Sequence, residues 1–228
     1  MNVAASSPFS HQRTHPKKPG SNGSTVTALT RLGPNRLASV GLDVRVEENP
    51  VERVKINSVK IWDFQVIKPK TMISRLALVP LHDTALTCLG ADQLALGLSD
   101  ATVQIWNHRN RKLLGTLSGG EEGHGNKVTS LAPLGKDQLA SGSADNRVII
   151  WDLLKEKVLY TSKGNTEGHG GTVWALTYLF NDQLASGSDD KTVKIWGINS
   201  GFKQTLNGHK KAVRALTYLG NDQLASGS

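Results

Sequence analysis

Cysteine is almost missing from this chain. Among 228 residues only Cys88 occurs, so no intrachain disulfide can staple the fold, and the expected setting is a reducing, intracellular one, cytoplasmic or nuclear. Cys88 falls in the apolar run Ala85-Leu86-Thr87-Cys88-Leu89, where a buried, inert thiol is expected. Long apolar runs are missing too, and no stretch reaches the ~18 residues of a membrane-spanning helix. Residues 1–23 hold no acidic residue and no apolar segment of the kind a secretory leader carries. Several signatures of chemistry are also lacking: no phosphate loop, no Gly-x-Ser-x-Gly elbow, no spaced metal-ligand set and no isolated carboxylate pair. The chain is therefore not expected to be an enzyme, and no catalytic, cofactor or metal residues are expected.

Helical periodicity is absent as well. The first 23 residues are rich in Ser, Pro and Gly, and they bury too little to offset the entropy of ordering, so a disordered basic tail is expected. Arg13, Lys17 and Lys18 supply three of the net +8 charges, which leaves 24 basic against 19 acidic residues dispersed over the rest. Dispersed charge of this kind reads as solvated surface. A nucleic-acid or anionic-ligand binder, driven by that charge and the tail, stands as the alternative function.

What is present is periodic. Ile61-Trp62, Ile105-Trp106, Ile150-Trp151 and Ile195-Trp196 place four of the five tryptophans 44, 45 and 45 residues apart, and a fixed spacing in this range marks a repeat architecture. The unit from Thr172 reads TVWALTYL, a turn at Phe180-Asn181-Asp182, QLASGS, a second turn at Asp189-Asp190-Lys191, then TVKIW. Short β-branched or alternating apolar segments bounded by turn formers predict antiparallel strands. A less regular fourth segment follows each Trp, such as Phe202 to Leu206. Four strands per period make one small sheet that must bury both faces, and radial stacking of such sheets gives a propeller.

Gly123-His124, Gly168-His169 and Gly208-His209, each followed by LASGS at Leu139, Leu184 and Leu224, together with Ile150-Trp151-Asp152, resemble WD40 repeats. The resemblance covers about 24–228. It implies an all-β, partial WD40 β-propeller of four four-stranded antiparallel blades and half of a fifth, with repeats at about 24–63, 64–107, 108–152, 153–197 and a truncated 198–228. It also implies hydrogen-bonded structural tetrads: His124, Ser141, Asp145 and Trp151; His169, Ser186, Asp190 and Trp196; and the beginning of a third at His209 and Ser226. Indole donates, Ser accepts and donates, neutral His relays and the carboxylate accepts, so each polar group finds a partner. Their recurrence argues against reading Ser, His and Asp as a hydrolase triad.

Three departures qualify the pattern. The second repeat has no Gly-His and holds Leu96 at the Ser position, so packing rather than a tetrad is expected there. Between Leu37 and Trp62 lie 25 positions against 12 between Leu184 and Trp196. The extra residues, within 42–57, alternate around Glu47-Glu48-Asn49-Pro50 and predict a protruding β-hairpin, either a partner contact or a tolerated insertion. The sequence also stops inside the fifth LASGS, and a fragment of a longer protein is the favoured reading, with ring completion by a partner chain the other.

By repeat register, Thr27, Thr84, Thr129, Trp174 and Arg214 occupy one equivalent position on the first strand of each unit. These vary while their neighbours are nearly copied: LTYLFNDQLASGS from Leu176 and LTYLGNDQLASGS from Leu216 differ at one residue. Trp and Arg are hot-spot residue types. The expected function is a non-enzymatic scaffold or substrate-recognition module that binds a protein or peptide on its top face, with Trp alternatively lying flat on the rim for packing alone.

Overall fold

The computed structural model describes residues 25–33, 36–46, 53–63, 70–73, 85–90, 92–135, 137–162 and 167–228; in the first sheet, side chains are described at 28–31 and 36–39. The tail at 1–23 lies outside the described residues.

Four four-stranded antiparallel sheets and a two-stranded one follow in chain order. The first holds β1 (Thr25–Gly33), β2 (Arg36–Val46), β3 (Arg53–Asp63) and β4 (Lys70–Ile73). The second holds β5 (Ala85–Cys88), β6 (Gln93–Gly97), β7 (Val103–Asn107) and β8 (Lys112–Leu117). The third holds β9 (Val128–Pro133), β10 (Gln138–Ser143), β11 (Val148–Asp152) and β12 (Lys157–Thr161). The fourth holds β13 (Val173–Phe180), β14 (Gln183–Ser188), β15 (Val193–Gly197) and β16 (Gly201–Leu206). The last pair is β17 (Ala215–Gly220) and β18 (Gln223–Gly227). This is the all-β, four-and-a-half-blade arrangement that the repeats predict.

First strands of successive sheets stand side by side, so the second, third and fourth sheets are flanked on both faces, whereas the first sheet and the β17–β18 pair have a neighbour on one face only. Burial follows from that. In β11, Val148 to Trp151 are all buried, and β15 is buried throughout, as expected of strands covered on two sides. The core lies between sheets: Ala140, Val148 and Ile150 of the third sheet pack with Val173, Leu184 and Trp196 of the fourth. Backbone bonds also cross the seams, from Val128 N–H to Leu98 O and from Val213 N–H to Ser188 O, each 2.9 Å.

Sheet and sequence repeat are out of phase. Each outer strand, such as β8, comes after the Trp that closes its sequence unit, so one repeat finishes the preceding sheet and starts the next.

The insert in the first repeat is a continuation of β2 and β3. Their pairing runs unbroken from Arg36↔Asp63 to Val46↔Arg53, whereas β1 follows β2 only to Leu42 and β4 meets β3 only over Val59 to Ile61. The hairpin expected over 42–57 is thus a two-stranded extension of the blade; its turn at 47–52 lies outside the described residues.

One turn departs from its copies. Gly135 and Gly220 adopt φ values of 96° and 86°, and the equivalent Phe180 adopts 68°, in a region that a bulky side chain disfavours. Phe180 is 59% exposed. Its ring sits 5.5 Å from Tyr178 and 5.4 Å from Tyr218, and these aromatic contacts offset part of the backbone cost.

Candidate functional site: the tetrad face and the Trp174–Arg214 platform

Both complete tetrads form. Trp151 Nε1–H donates to Ser141 Oγ at 2.7 Å, and Ser141 Oγ lies 2.7 Å from His124 Nε2, whose Nδ1 is 3.0 Å from Asp145 Oδ2. In the fourth sheet Trp196 donates to Ser186 Oγ at 2.8 Å, with 2.6 Å to His169 Nε2 and 2.7 Å from His169 Nδ1 to Asp190. Only one set of protons satisfies every member. The indole has no acceptor, so Ser must receive its proton and pass its own to Nε2, which leaves the imidazole proton on Nδ1 facing the carboxylate. Ser141, Ser186, Trp151 and Trp196 are all fully buried. In the two-stranded pair, His209 Nε2 and Ser226 Oγ are 2.7 Å apart, the beginning of a third set.

Each tetrad carboxylate also organises a turn. Asp145 accepts the Gly125 and Arg147 N–H groups, and Asp190 accepts those of Gly170 and Thr192. Burial raises the pKa of Asp145 and of Asp190, but hydrogen bonds from His124 or His169 and from these backbone donors outweigh it, and both carboxyls are held well below their usual range. A depressed native pKa contributes stability that is present above the unfolded value of 3.8 and is lost as pH falls below it. The urea midpoint is expected to drop steeply between about pH 5 and pH 2. The double variant Asp145→Asn, Asp190→Asn should start lower at pH 7 and show a flatter acid limb, measured by tryptophan fluorescence at each pH; a limb as steep as that of the unsubstituted chain would refute the assignment.

The second sheet solves the same problem with a residue that the repeat pattern does not flag. Leu96 fills the Ser position and is fully buried, and Trp106 Nε1 donates instead to Gln104 Oε1 at 3.0 Å. Gln104 stands two residues before Trp106, hence on the same strand face. That spacing is readable in the sequence. Asp100 turns to Thr102, bonding its N–H and hydroxyl at 3.0 and 2.6 Å.

Three of the variable positions share a backbone device, while Arg214 stands just before β17. In β13 the pairing skips from Val173↔Ser188 to Ala175↔Gly187, leaving Trp174 as an extra residue, and Thr129 in β9 and Thr27 in β1 are skipped likewise. A bulge of this kind re-aims its side chain. For Thr27 only the backbone is described, and Thr84 lies outside the described residues. The Thr129 hydroxyl is engaged with the carbonyls of Gly142, at 3.1 Å, and of Val173 in the next sheet.

Trp174 and Arg214 come together across a seam. The Arg214 guanidinium carbon lies 4.5 Å from the Trp174 ring centroid, and Lys127 Nζ, from the other neighbouring sheet, lies 5.6 Å from it. Arg214 Nη2 stands 3.6 Å from Asp189 Oδ1, a carboxylate of the β14–β15 turn; the two side chains are 61% and 39% exposed. Three sheets thus contribute to one cationic, aromatic platform beside the tetrads. Among the described residues the buried Trp174 indole N–H meets no acceptor. Sequence register singles out Trp174 and Arg214 but not Lys127 or Asp189.

Residues 111–152 and 160–197 match the family model described as WD domain, G-beta repeat. No curated protein matches. Among solved structures, the RRP9 WD40 repeats are 26% identical with a TM-score of 0.57, over 62% of this chain and 43% of that one. A chain of the Mitotic Checkpoint Complex is 20% identical with a TM-score of 0.68, over 100% of this chain and 67% of that one. The WD40 beta propeller domain of Doa1 is 19% identical with a TM-score of 0.65, over 90% and 62%. The last two are likenesses of fold alone, and this chain spans less than half the length of the RRP9 repeats. Residues 111–152 and 160–197 thus match WD40 repeats, and the observed tetrads and stacked four-stranded sheets are the architecture of a partial WD40 β-propeller.

Proposed function

We propose that this chain is a non-enzymatic interaction scaffold, acting inside the cell, that holds a protein or peptide partner on the tetrad face through Trp174 and Arg214. The carrying observation is the platform itself: an aromatic residue lifted by a β-bulge and stacked by an arginine from the next sheet. Planar area and a rigid donor fork are what interface hot spots use. The tetrads beside it fix the turns that carry Asp189 and the loops that enter β13 and β17, so the surface is ordered before a partner arrives and little entropy is lost on binding. The buried Ser141 and Ser186 hydroxyls, each receiving an indole proton, are engaged in structure and are poor nucleophiles. Among the described residues no helix is long and apolar enough to cross a membrane.

Affinity capture with the full chain, compared with Trp174→Ala and Arg214→Ala, tests the reading. Partners retained by the unsubstituted chain should fall about tenfold with either variant, while melting temperature stays within a few degrees. Full recovery of every partner would refute the site. The nucleic-acid alternative makes a separate demand, a steep loss of affinity with salt that deletion of 1–23 removes.

A further inference from the structure

The proposed site carries a mark of the partner's chemistry. We infer that the platform takes an acidic peptide segment, with one side-chain carboxylate received in the fork of Arg214; the inference rests on the tetrad-face reading above.

Three observations converge on it. The Arg214 guanidinium lies over the Trp174 ring at 4.5 Å, a contact that holds it in place, while its side chain stays 61% exposed. Among the described residues its acidic neighbour is Asp189, 3.6 Å away and beyond hydrogen-bond distance, and the side chain is more than half exposed. Its donor capacity is therefore held in place and unfilled. A carboxylate offers two coplanar acceptor oxygens, which is the complement of that fork. Lys127, on the other neighbouring sheet, adds a second positive charge within 5.6 Å of the same ring, and Lys210 and Lys211 are exposed on the segment that enters β17.

Charge also limits the partner. Asp189 borders the guanidinium, and Asp190 and Asp145 close the adjoining turns. A long polyanion laid across this face would meet Asp189, which is exposed, whereas Asp145 and Asp190 are engaged within the tetrads. A peptide presents one carboxylate to Arg214 while its backbone N–H groups, or a neighbouring basic side chain, face Asp189. Asp189 is then a tuning residue: it competes for the arginine, and its removal strengthens the capture of acid.

The experiment is a hexapeptide array, each member carrying Glu or Asp at one position or the isosteric Gln or Asn there, with a phosphoserine series in parallel. It is probed with the full chain, Arg214→Gln, Arg214→Lys, Asp189→Asn and a chain lacking 1–23. Expected are signals confined to carboxylate members, a loss of about tenfold or more with Arg214→Gln, a smaller loss with Arg214→Lys, and a gain with Asp189→Asn. Equal signals on Gln and Glu members would overturn the inference. So would acid binding that survives Arg214→Gln or vanishes with the tail, or a preference for phosphoserine above tenfold. If acid preference fails while Arg214→Ala still abolishes partner capture, the tetrad-face site stands and only its ligand class falls; if both fail, the site falls too.

Discussion

Trp196→Ala is expected to cost about 3–5 kcal/mol of folding stability, read as a shift in urea midpoint. That is a large share of the ~5–15 kcal/mol available to a typical domain. Two losses combine. The indole is fully buried and packs with Ala140, Val148 and Ile150 of the neighbouring sheet, so its removal opens a cavity at a seam. Phe202 at 5.7 Å and Tyr160 at 6.4 Å also lose their edge contacts. The tetrad loses its donor, and Ser186 keeps an unfilled acceptor. Trp106→Ala serves as the internal comparison, because Trp106 is only half-buried and gives its proton to Gln104. Its cost should be clearly smaller. Equal costs at the two positions would mean that the tetrad contributes nothing beyond packing.

Gly142→Ala is expected to cost about 1–3 kcal/mol by forcing two sheets apart. A Cβ there would stand 2.5 Å from Ser130 Oγ and 2.6 Å from Val173 Cγ1. The same close approach recurs at Gly97 against Val128 and at Gly187 against Val213, at 2.5 and 2.7 Å. The glycine of LASG therefore sets how near one sheet comes to the next. Gly125→Ala is the control, since only Arg147 Nη2 at 3.8 Å lies near its Cβ, and its melting should change by under ~0.5 kcal/mol. If Gly142→Ala melts like the control, the seam is more compliant than its geometry implies.

The sequence spells out the tetrads because their members recur at constant offsets, and because the donor and acceptor roles of Trp, Ser, His and Asp permit only one order of connection. The hairpin was legible for a similar reason: Val44, Val46, Val54 and Ile56 alternate about a turn, and that alternation survives as paired β2 and β3. The platform was half legible. Register picks out Trp174 and Arg214, but the bulge that lifts Trp174 leaves no trace in an alternating pattern. Lys127 reaches the Trp174 ring from a neighbouring sheet and Asp189 reaches Arg214 from a turn, so their proximity is a property of stacking and not of spacing. Gln104 carries no mark in the repeat pattern, because that pattern places the indole's acceptor at the serine position, which Leu96 fills here, and not two residues before the Trp.

The phase offset between sequence repeat and sheet bears on how such a chain lengthens. A segment copied at the sequence period arrives with the outer strand that its predecessor lacks and with three strands that await the outer strand of its successor. Tandem duplication by recombination can therefore insert a copy anywhere in the array without leaving any sheet short of a partner. The near-identity of the stretches from Leu176 and Leu216 is what such growth leaves behind, with selection free to alter the residue, Trp174 in one copy and Arg214 in the next, that stands two positions before each stretch.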